Sequence, residues 1–467
     1  MLRLGILPTR SLAPALLCAL VLAACGGSQP ARTAATTPTT AASSTTSTTG
    51  ARAGAADMQT LYIYSSLPHN GPQAAASRQI EEGIGFARDW VAAHQPLAKY
   101  RVVYRALSDS RVPRSRSRAR PGKPAARAVV SNHWNATATV QNAQVAAGNP
   151  RTVAYIGDLN SGATELSLPI LNQAGIVQLT PGSGYPGLTE KVPGVTLDPT
   201  EPDKYYPQGR PSLLRLVPND LVQAQAAAYW LKKYSYPACH TLAAVAFGGD
   251  PESTAMVLAV KLYAKRYKLA FVPTQPPTND AKTYASYVSA LVQHQVNCIV
   301  VAGRVTRAAI DFTTAFHTSL PGAIILGTSG LCNRHWSDPA RGGVPSKVDS
   351  VLYCTTPLLP LGYYPGGRSF SARYRRARHR SPTAYTYLGY MAGSLVLQAI
   401  REIGGAHADS RRQVMSNLVT NVASIDMGAA YTFDPDGDPT GEPAAFEYGL
   451  DKVDSTGIPR RYRVLAP

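Results

Sequence analysis

The sequence predicts an α/β protein of two lobes, each a doubly wound parallel sheet with helices on both faces. Apolar strand patterns alternate with patterns of helical spacing, and this alternation is typical of parallel βαβ units. The alternation starts afresh near residue 218, so two α/β halves follow each other in a chain of 467 residues. A hydrophobic content of 45% is sufficient for two separate cores.

The first half begins its strand–helix alternation at residue 58. Four strands are predicted, over 61–64, 101–107, 152–156 and 176–179, and the third of them is expected to be buried. Helices are predicted between them, one with Ile80 and Ile84 on its apolar face and two over 137–147 and 164–174. This order is that of a parallel sheet covered on both faces.

The second half repeats the pattern, beginning with a helix that Asn219 or Asp220 caps and that runs to residue 234. Its predicted strands cover 242–247, 269–272, 298–301 and 324–326. Its further helices are predicted over 253–266, on a face with Tyr284, Val288 and Leu291, and on a face with Ala309, Phe312 and Phe316. A long apolar helix over 385–403, a helix over 414–422 and a turn at 434–438 follow.

The N-terminal residues predict export and a lipid anchor. A start with Arg3 and Arg10 precedes an apolar run over 12–24, which is too short for a membrane-spanning helix. The run ends in LAACG, which resembles the bacterial lipobox, and this resemblance implies a signal peptide over 1–24 and a lipidated Cys25 at the outer face of the cytoplasmic membrane. The Thr-, Ser- and Ala-rich residues 25–57 are expected to be a disordered tether. The alternative is ordinary secretion with an incidental cysteine.

Four cysteines remain after the signal peptide and Cys25 are set aside, and disulfides suit an exported protein. Cys239 and Cys298 each precede a strand of the second half, and parallel strands begin at the same edge. Cys332 and Cys354 flank one loop rich in Gly and Pro. We therefore predict the pairs Cys239–Cys298 and Cys332–Cys354, the alternative being free buried thiols.

The formal net charge of +18 is concentrated in two basic runs, over 111–127 and 368–380. The first run contains Pro and Gly but no aromatic residue, and it follows an export signal. It is therefore interpreted as a solvated loop facing an anionic envelope, and no nucleic-acid partner is expected. No nucleophile elbow, zinc helix motif, P-loop or dinucleotide motif is present, so no catalytic residue, metal or cofactor is expected.

Small polar residues recur where the predicted strands end, and ligands of parallel α/β sheets bind outside these ends. They are Ser65–Ser66, Asn160–Gly162, Gly182–Gly184, Gly249–Asp250, Gly303–Arg304 and Thr328–Ser329. Free N–H groups at helix starts suit an anion or carboxylate. The alternative is that these residues only form tight turns.

Several segments resemble the leucine/isoleucine/valine-binding family of solute-binding proteins. They are IGDLNSGAT at 156–164, LPILNQAGI at 168–176, TPGSG at 180–184, GLT at 187–189, RLVPND at 215–220, YLGYMA at 387–392 and FDPDGD at 433–438. The resemblance implies a type I periplasmic-binding fold whose two lobes are joined by a three-strand hinge. We expect one lobe over 58–218 plus 356–427, and the other, with the hinge return, over 219–355 plus 428–467.

The resemblance also implies which residues bind a ligand. Ser161 matches a serine that holds a ligand carboxylate, and Gly182, Ser183 and Gly184 match a second segment that does so. Gly184 stands where a hydroxyl is usual, so Ser183 is the expected substitute. The first strand end adds Ser65 to the expected site.

The matching positions of the second lobe are Asp250, Arg304 and Ser329, where the family's aromatic residues and its acid are missing. We therefore expect a negatively charged ligand bound by Arg304, and not a simple branched-chain amino acid. If Asp250 pairs with Arg304 instead, the ligand could be neutral.

The predicted function is that of a monomeric solute-binding lipoprotein that encloses a small anionic or amino-acid-like ligand and delivers it to the permease of an ABC importer. The alternative is a ligand-sensing or scaffold lipoprotein of the envelope that uses the same fold without transport. An envelope enzyme is a more distant third reading.

Overall fold

The computed structural model describes residues 58–97, 99–110, 134–273, 281–404, 410–420, 423–425, 429–440 and 447–466. The predicted signal peptide 1–24, the lipidation site Cys25, the tether 25–57 and the basic run 111–127 lie outside the described residues. Those four predictions therefore stay predictions.

Fourteen strands are found among the described residues. They are β1 Gln59–Leu67, β2 Tyr100–Ser108, β3 Thr152–Gly157, β4 Val177–Thr180, β5 Leu213–Arg215, β6 Thr241–Phe247, β7 Ala270–Phe271, β8 Cys298–Gly303, β9 Ile324–Gly327, β10 Leu352–Thr356, β11 Ala423–Ile425, β12 Ala429–Tyr431, β13 Tyr448–Val453 and β14 Pro459–Leu465.

The described α-helices are α1 Ala74–His94, α2 Ala136–Gly148, α3 Ser161–Gln173, α4 Asp220–Lys233, α5 Pro251–Arg266, α6 Ala281–Gln293, α7 Arg307–Ser319, α8 Arg334–Ser337, α9 Gly367–Arg378, α10 Ala384–Ile403 and α11 Arg411–Thr420. Among these described helices, none is both long enough and apolar enough to cross a membrane.

The first lobe is built on a five-stranded parallel sheet with the order β2-β1-β3-β4-β5. Strands β3 and β4 are buried along their whole length, which explains their nearly continuous apolar sequence. Helices α1 and α10 pack closely against each other at Gly83 and Gly389. A Cβ at Gly389 would lie 1.9 Å from the carbonyl oxygen of Ile80, so the close approach of the two helices requires glycine.

The second lobe is built on a seven-stranded sheet with the order β14-β13-β10-β9-β8-β6-β7. Strands β7, β6, β8, β9 and β10 are parallel, whereas β13 and β14 pair antiparallel at one edge. The predicted parallel sheet is thus confirmed for its α/β part. The antiparallel edge arises because the chain returns to β10 at its C-terminal end.

The two sheets share one strand order. If the parallel strands of each lobe are numbered in chain order, both sheets have the order 2-1-3-4-5. This order is β2-β1-β3-β4-β5 in the first lobe and β7-β6-β8-β9-β10 in the second. The strand order reverses between β1 and β3 in the first lobe and between β6 and β8 in the second. A crevice forms outside the carboxyl ends of the strands at such a reversal, so each lobe offers one side of a ligand site.

The described elements place three passages of the chain between the two sheets: after β5, after β10, and between β12 and β13. The buried Tyr431 packs in the core of the first lobe and donates a hydrogen bond to the carbonyl oxygen of Leu216 (3.0 Å). The residues just before the third passage therefore pack with the first lobe. The exact lobe boundaries given above stay a prediction.

Several described elements differ from the expected pattern, and three of them bear on the fold of the lobes. Strands β5 and β10 are not predicted, and the basic run 368–380 is largely the helix α9. Phe370 and Tyr374 are the buried side chains that hold α9 against the first lobe, where both rings contact Phe86. The arginines of α9 lie on its exposed side, which explains how a strongly basic segment forms a packed helix.

Both disulfides expected from the sequence are present in the second lobe. Cys239–Cys298 joins the starts of the neighbouring parallel strands β6 and β8, with the Cα atoms 5.6 Å apart. Cys332–Cys354 closes the loop between β9 and β10, with the Cα atoms 5.2 Å apart. The first bridge lies at the amino ends of the parallel strands, and the second ties β10 to the loop that follows β9.

Candidate functional site

A cavity of about 70 Å³ lies between the lobes at the carboxyl ends of both sheets. The first lobe contributes Gln73, Leu159, Asn160, Gly182, Gly184 and Tyr385 to its lining, among others. The second lobe contributes Asp220, Gln223, Asp250, Glu252, Arg304, Ser329 and Tyr448. Because both strand-order reversals open onto this cavity, it is the position at which a two-lobed α/β protein holds a ligand.

Five of the eight predicted ligand residues line this cavity: Gly182, Gly184, Asp250, Arg304 and Ser329. The structure brings them together from four separate loops, as their positions at strand ends predict. Their individual roles toward a ligand stay a prediction.

Ser65 and Ser183 hydrogen-bond within the first lobe and are absent from the described lining of the cavity. The Ser65 hydroxyl hydrogen-bonds to the hydroxyl of Tyr104 (2.7 Å). The Ser183 hydroxyl donates to the carbonyl oxygen of Asp158 (3.1 Å) and also contacts the hydroxyl of Thr164 (2.7 Å). Ser183 therefore fastens its own loop, and this engagement argues against its replacing a hydroxyl at Gly184.

Ser161 is the first residue of α3 and is buried. Its hydroxyl accepts a hydrogen bond from the backbone N–H of Tyr185 (3.1 Å). Ser161 is therefore engaged by its own lobe and is absent from the described lining of the cavity.

Arg304 pairs with an acid of its own lobe. Its guanidinium lies 2.9 Å from a carboxylate oxygen of Asp250 and 5.9 Å from the centre of the Trp134 ring. Asp250 in turn caps α5 by accepting from the backbone N–H of Ser253 (2.8 Å). Of the two readings left open by the sequence, the structure shows the one in which Asp250 satisfies Arg304.

The second lobe brings acids and an aromatic ring to the cleft from positions other than Arg304 and Ser329, which the resemblance matches. Asp220 and Glu252 supply acids to the lining, and Tyr448 supplies an aromatic ring. Both acids lie in the first turn of a helix. A carboxylate at that position is usually explained by its favourable interaction with the helix dipole, so the sequence alone does not mark these acids as cleft residues. The signal that could have found them is that both helices start at the cleft edge of the sheet.

Asp220 is the most deeply buried of these acids, with 2% of its surface exposed. With its amide oxygen facing the N–H of Ser329 (2.8 Å), Gln223 donates to Oδ1 of Asp220 (3.0 Å). Oδ2 of Asp220 has no hydrogen-bond partner. A Cβ at Gly184 would lie 2.4 Å from Oδ1, so the buried carboxylate occupies the space that a larger residue at position 184 would need.

Burial governs the proton affinity of the cleft acids. Burial, followed by the nearby Asp250, raises the pKa of Glu252 to about 7, and the neighbouring Ser161 and Arg304 act in the opposite direction. Burial, followed by Glu252, raises the pKa of Asp220 well above its usual range. The cleft thus contains carboxyl groups that need a donor or a positive charge to ionise.

The two lobes have the same strand order and enclose a cavity where that order reverses. These features define a binding protein that holds its ligand between two α/β lobes. The family model described as periplasmic binding protein matches residues 66–448. The chain therefore belongs to the periplasmic binding protein family, and its fold is of the type I periplasmic-binding class.

Solved structures of the same fold cover most of the chain. An ABC transporter substrate-binding protein of Desulfitobacterium hafniense, in complex with Leu, has 17% sequence identity and a TM-score of 0.61, covering 86% of this chain and 100% of its own. The leucine-binding protein LivK of Thermotoga maritima has 17% identity and a TM-score of 0.61, covering 87% and 99%. A solute-binding protein of R. palustris, in complex with benzoate, has 13% identity and a TM-score of 0.57, covering 87% and 97%.

No curated protein matches the sequence. The family binds small-molecule ligands outside the cytoplasm and works with the permeases of ABC transporters. At these identities the solved structures establish the fold, and the ligand must be argued from the residues of this chain.

Proposed function

We propose that this chain is the ligand-binding lipoprotein of an ABC importer, anchored at the outer face of the cytoplasmic membrane through Cys25. The observation that carries the proposal is the interlobe cavity, which both lobes line and whose lining includes Asp220, with a buried Oδ2 that lacks a hydrogen-bond partner. A buried oxygen without a donor is unfavourable by about 1–3 kcal/mol, so a ligand that supplies the donor stabilises the closed cleft.

Binding in this arrangement works by closure and involves no chemical change of the ligand. Contacts made to both lobes at once favour the closed state over the open one. Closure also brings the lobes into direct contact, as where Asn333 of the second lobe donates to the carbonyl oxygen of Pro72 (3.2 Å). A permease that recognises both lobes in this arrangement would distinguish the loaded protein from the empty one.

The cleft favours a ligand with an amino group over the anionic ligand expected from the sequence. Arg304 has its own carboxylate partner at 2.9 Å, whereas Asp220 has an oxygen without a donor. An amino-acid-like ligand therefore suits the cleft, because its ammonium group can donate a hydrogen bond to Asp220. Leucine and benzoate are the ligands of the structural neighbours and do not by themselves identify the ligand of this chain.

The test is a thermal-shift screen of the mature protein against amino acids, amines, carboxylates and small peptides. A specific ligand at 100 times its Kd should stabilise the fold by about 2.7 kcal/mol and raise the Tm in a saturable way. Asp220→Asn should remove that shift, while Asp349→Asn, a change away from the cleft, should keep it. If no compound raises the Tm, transport of a small ligand is contradicted and the sensing or scaffold alternative is favoured.

A further inference from the structure

We infer that the outer side of α9 is a docking surface for anionic phospholipid headgroups and that it holds the first lobe against the membrane. This surface is defined by Arg368, Arg375 and Arg376 and is termed the basic face. The inference goes beyond ligand binding, and it rests on the proposed function only in placing the chain beside a membrane.

The basic face is one side of an amphipathic helix. Its arginines follow Arg368 after seven and eight residues, which is about two helical turns, so all three share one side of α9. The buried Phe370 and Tyr374 hold the opposite side against the first lobe. The three arginines are exposed, and their side chains form no hydrogen bond or ion pair with the residues that the structure describes. Their charges are therefore available to a partner.

The arginines at the flanks of α9 differ, because they contact α1. Arg378 donates to a carboxylate oxygen of Asp89 (2.9 Å). The guanidinium of Arg373 lies over the ring of Trp90, at 4.3 Å from its centre. These two side chains stabilise the packing of α9, as do the buried aromatic rings. The arginines of the basic face make no such contribution, so the helix does not need them to stay in place.

The sequence around α9 contains no acid that would neutralise the basic face from its own segment. No Asp or Glu occurs between Asp349 and Glu402, whereas seven arginines do. Ser369 and Ala372 lie among the arginines of the basic face and are short, so a flat anionic surface can approach the guanidinium groups. The planar guanidinium binds two oxygens of one phosphate group at once, which makes arginine well suited to phosphate.

An exposed aromatic ring beside the basic face favours a lipid surface over a soluble polyanion. Tyr363 is 49% exposed and belongs to the turn Leu361–Tyr363, which precedes α9. Arg368 lies next to this turn, since a Cβ at Gly362 would be 3.5 Å from its Nε. Tyrosine is enriched at the headgroup level of membranes, and arginine is enriched on the polar side of helices that lie on them.

The basic face belongs to the lobe that the chain enters first. Helix α1, against which α9 packs, ends at His94, and the carbonyl oxygen of Lys99 accepts a hydrogen bond from the N–H of Gln59 at the start of β1 (3.0 Å). A lipid at Cys25 would hold this lobe near the membrane, and a lipid chain together with basic residues binds a membrane more firmly than the chain alone. Docking through the first lobe leaves the second lobe free to close over a ligand.

The experiment is co-sedimentation with lipid vesicles of the chain that lacks the signal peptide and carries Cys25→Ser, so that no attached lipid contributes. This parent should bind vesicles of phosphatidylglycerol and phosphatidylcholine in equal parts, should not bind phosphatidylcholine alone, and should bind more weakly as NaCl is added. Each arginine near an anionic membrane contributes roughly a fivefold factor to binding, so changing Arg368, Arg375 and Arg376 together to glutamine should weaken it by about a hundredfold.

A matched control removes the same charge from the second lobe. Lys261, Lys265 and Arg266 are exposed on α5, and changing all three to glutamine lowers the net charge by the same amount. Because salt screens charges that do not touch the membrane, this variant should lose less than about threefold in vesicle binding. Circular dichroism and the Tm establish that both variants are folded.

Three outcomes would overturn the inference. The basic face does not bind lipid if its folded variant sediments with the mixed vesicles as the parent does, or if the α5 variant loses as much binding. If the parent binds no vesicles but binds soluble polyglutamate, the partner of the basic face is an acidic protein.

The proposed function is tested separately, by the ligand screen and by fatty-acid labelling at Cys25, and it stands if vesicle binding fails. Conversely, if Cys25 carries no label while vesicle binding depends on the three arginines, the proposed anchor is wrong and the docking surface stands.

Discussion

Replacing Arg215 by methionine should destabilise the protein more than most single substitutions. Arg215 ends strand β5 and is completely buried. Its guanidinium donates to the carbonyl oxygen of Ser183 (2.9 Å), to the hydroxyl of Thr189 (2.9 Å), to the carbonyl oxygen of Tyr185 and to the carboxylate of Asp438. It therefore connects the loop after β4 to the turn at 434–438, next to the passage between the lobes.

The expected loss follows from what Arg215→Met leaves behind. Removing one member of a buried ion pair typically destabilises a protein by about 3–5 kcal/mol, because the other charge loses its compensation. Asp438 keeps hydrogen bonds from Thr189 (3.1 Å) and Asn219 (3.1 Å), and its side chain is 14% exposed. These contacts and the partial exposure reduce the penalty, so we expect about 3 kcal/mol, which corresponds to roughly 6–12 °C in Tm for a unit of 150–250 residues.

Urea unfolding followed by circular dichroism measures this loss in the wild type, Arg215→Met and Arg215→Lys. Lysine keeps a charge near Asp438 but has no planar guanidinium that can reach all four acceptors, so it should recover only part of the loss. The double variant Arg215→Met with Asp438→Asn should be less destabilised than the sum of the two single variants. Additive losses, or a change below about 1 kcal/mol for Arg215→Met, would show that the pair does not stabilise this region.

Three further predictions concern other parts of the chain. Cys25→Ser should abolish fatty-acid labelling and membrane partitioning in a bacterial host; label retained by the variant would contradict lipidation. Replacing Cys332 and Cys354 by alanine should lower the free energy of unfolding by about 3 kcal/mol, since the bridge closes a loop over 22 residues of separation; peptide mapping without reductant checks the pairing. Burial and Asp158 raise the pKa of Asp109 to about 9, whereas the pKa of an Asp in an unfolded chain is about 3.9. The folded state therefore binds the proton more tightly, and the free energy of unfolding should fall as the pH rises between these two values. Asp109→Asn should flatten that fall in urea unfolding at pH 5, 7 and 9, and an unchanged slope would refute the assignment.

The alternation of strands and helices could be predicted because long, regular patterns dominate the sequence. The strand expected over 152–156 is found at Thr152–Gly157, and the helix expected over 385–403 is found at Ala384–Ile403. Strand β5 could not be predicted, because its three residues show no periodicity. Helix α9 could not be predicted either, since Phe370 and Tyr374 are the two apolar anchors in a segment dominated by arginine.

The edge of the sheet that forms the cleft could also be predicted, because topology alone brings the carboxyl ends of parallel strands together. The roles of single side chains could not. The hydroxyl of Ser183 is available in the sequence but is engaged by Asp158 and Thr164 in the fold. The hydrogen bond from Asn333 of the second lobe to the carbonyl oxygen of Pro72 in the first depends on how one lobe faces the other, and no local pattern encodes that orientation.

The departures of this chain from the expected ligand site are coupled through space across the cleft. Position 184, where the resemblance leads one to expect a hydroxyl, is a glycine because the carboxylate of Asp220 fills the adjoining space, at 2.4 Å from a hypothetical Cβ. Gly162, beside Ser161, is likewise closed off by the ring of Trp134, which a Cβ there would meet at 2.8 Å. Gly184 and Gly162 are thus each matched to the larger side chain that packs against them, Asp220 and Trp134 respectively. A change of ligand class in this fold would therefore require paired substitutions, since exchanging Asp220 alone leaves a void beside Gly184, and enlarging Gly184 alone forces the buried carboxylate out of place.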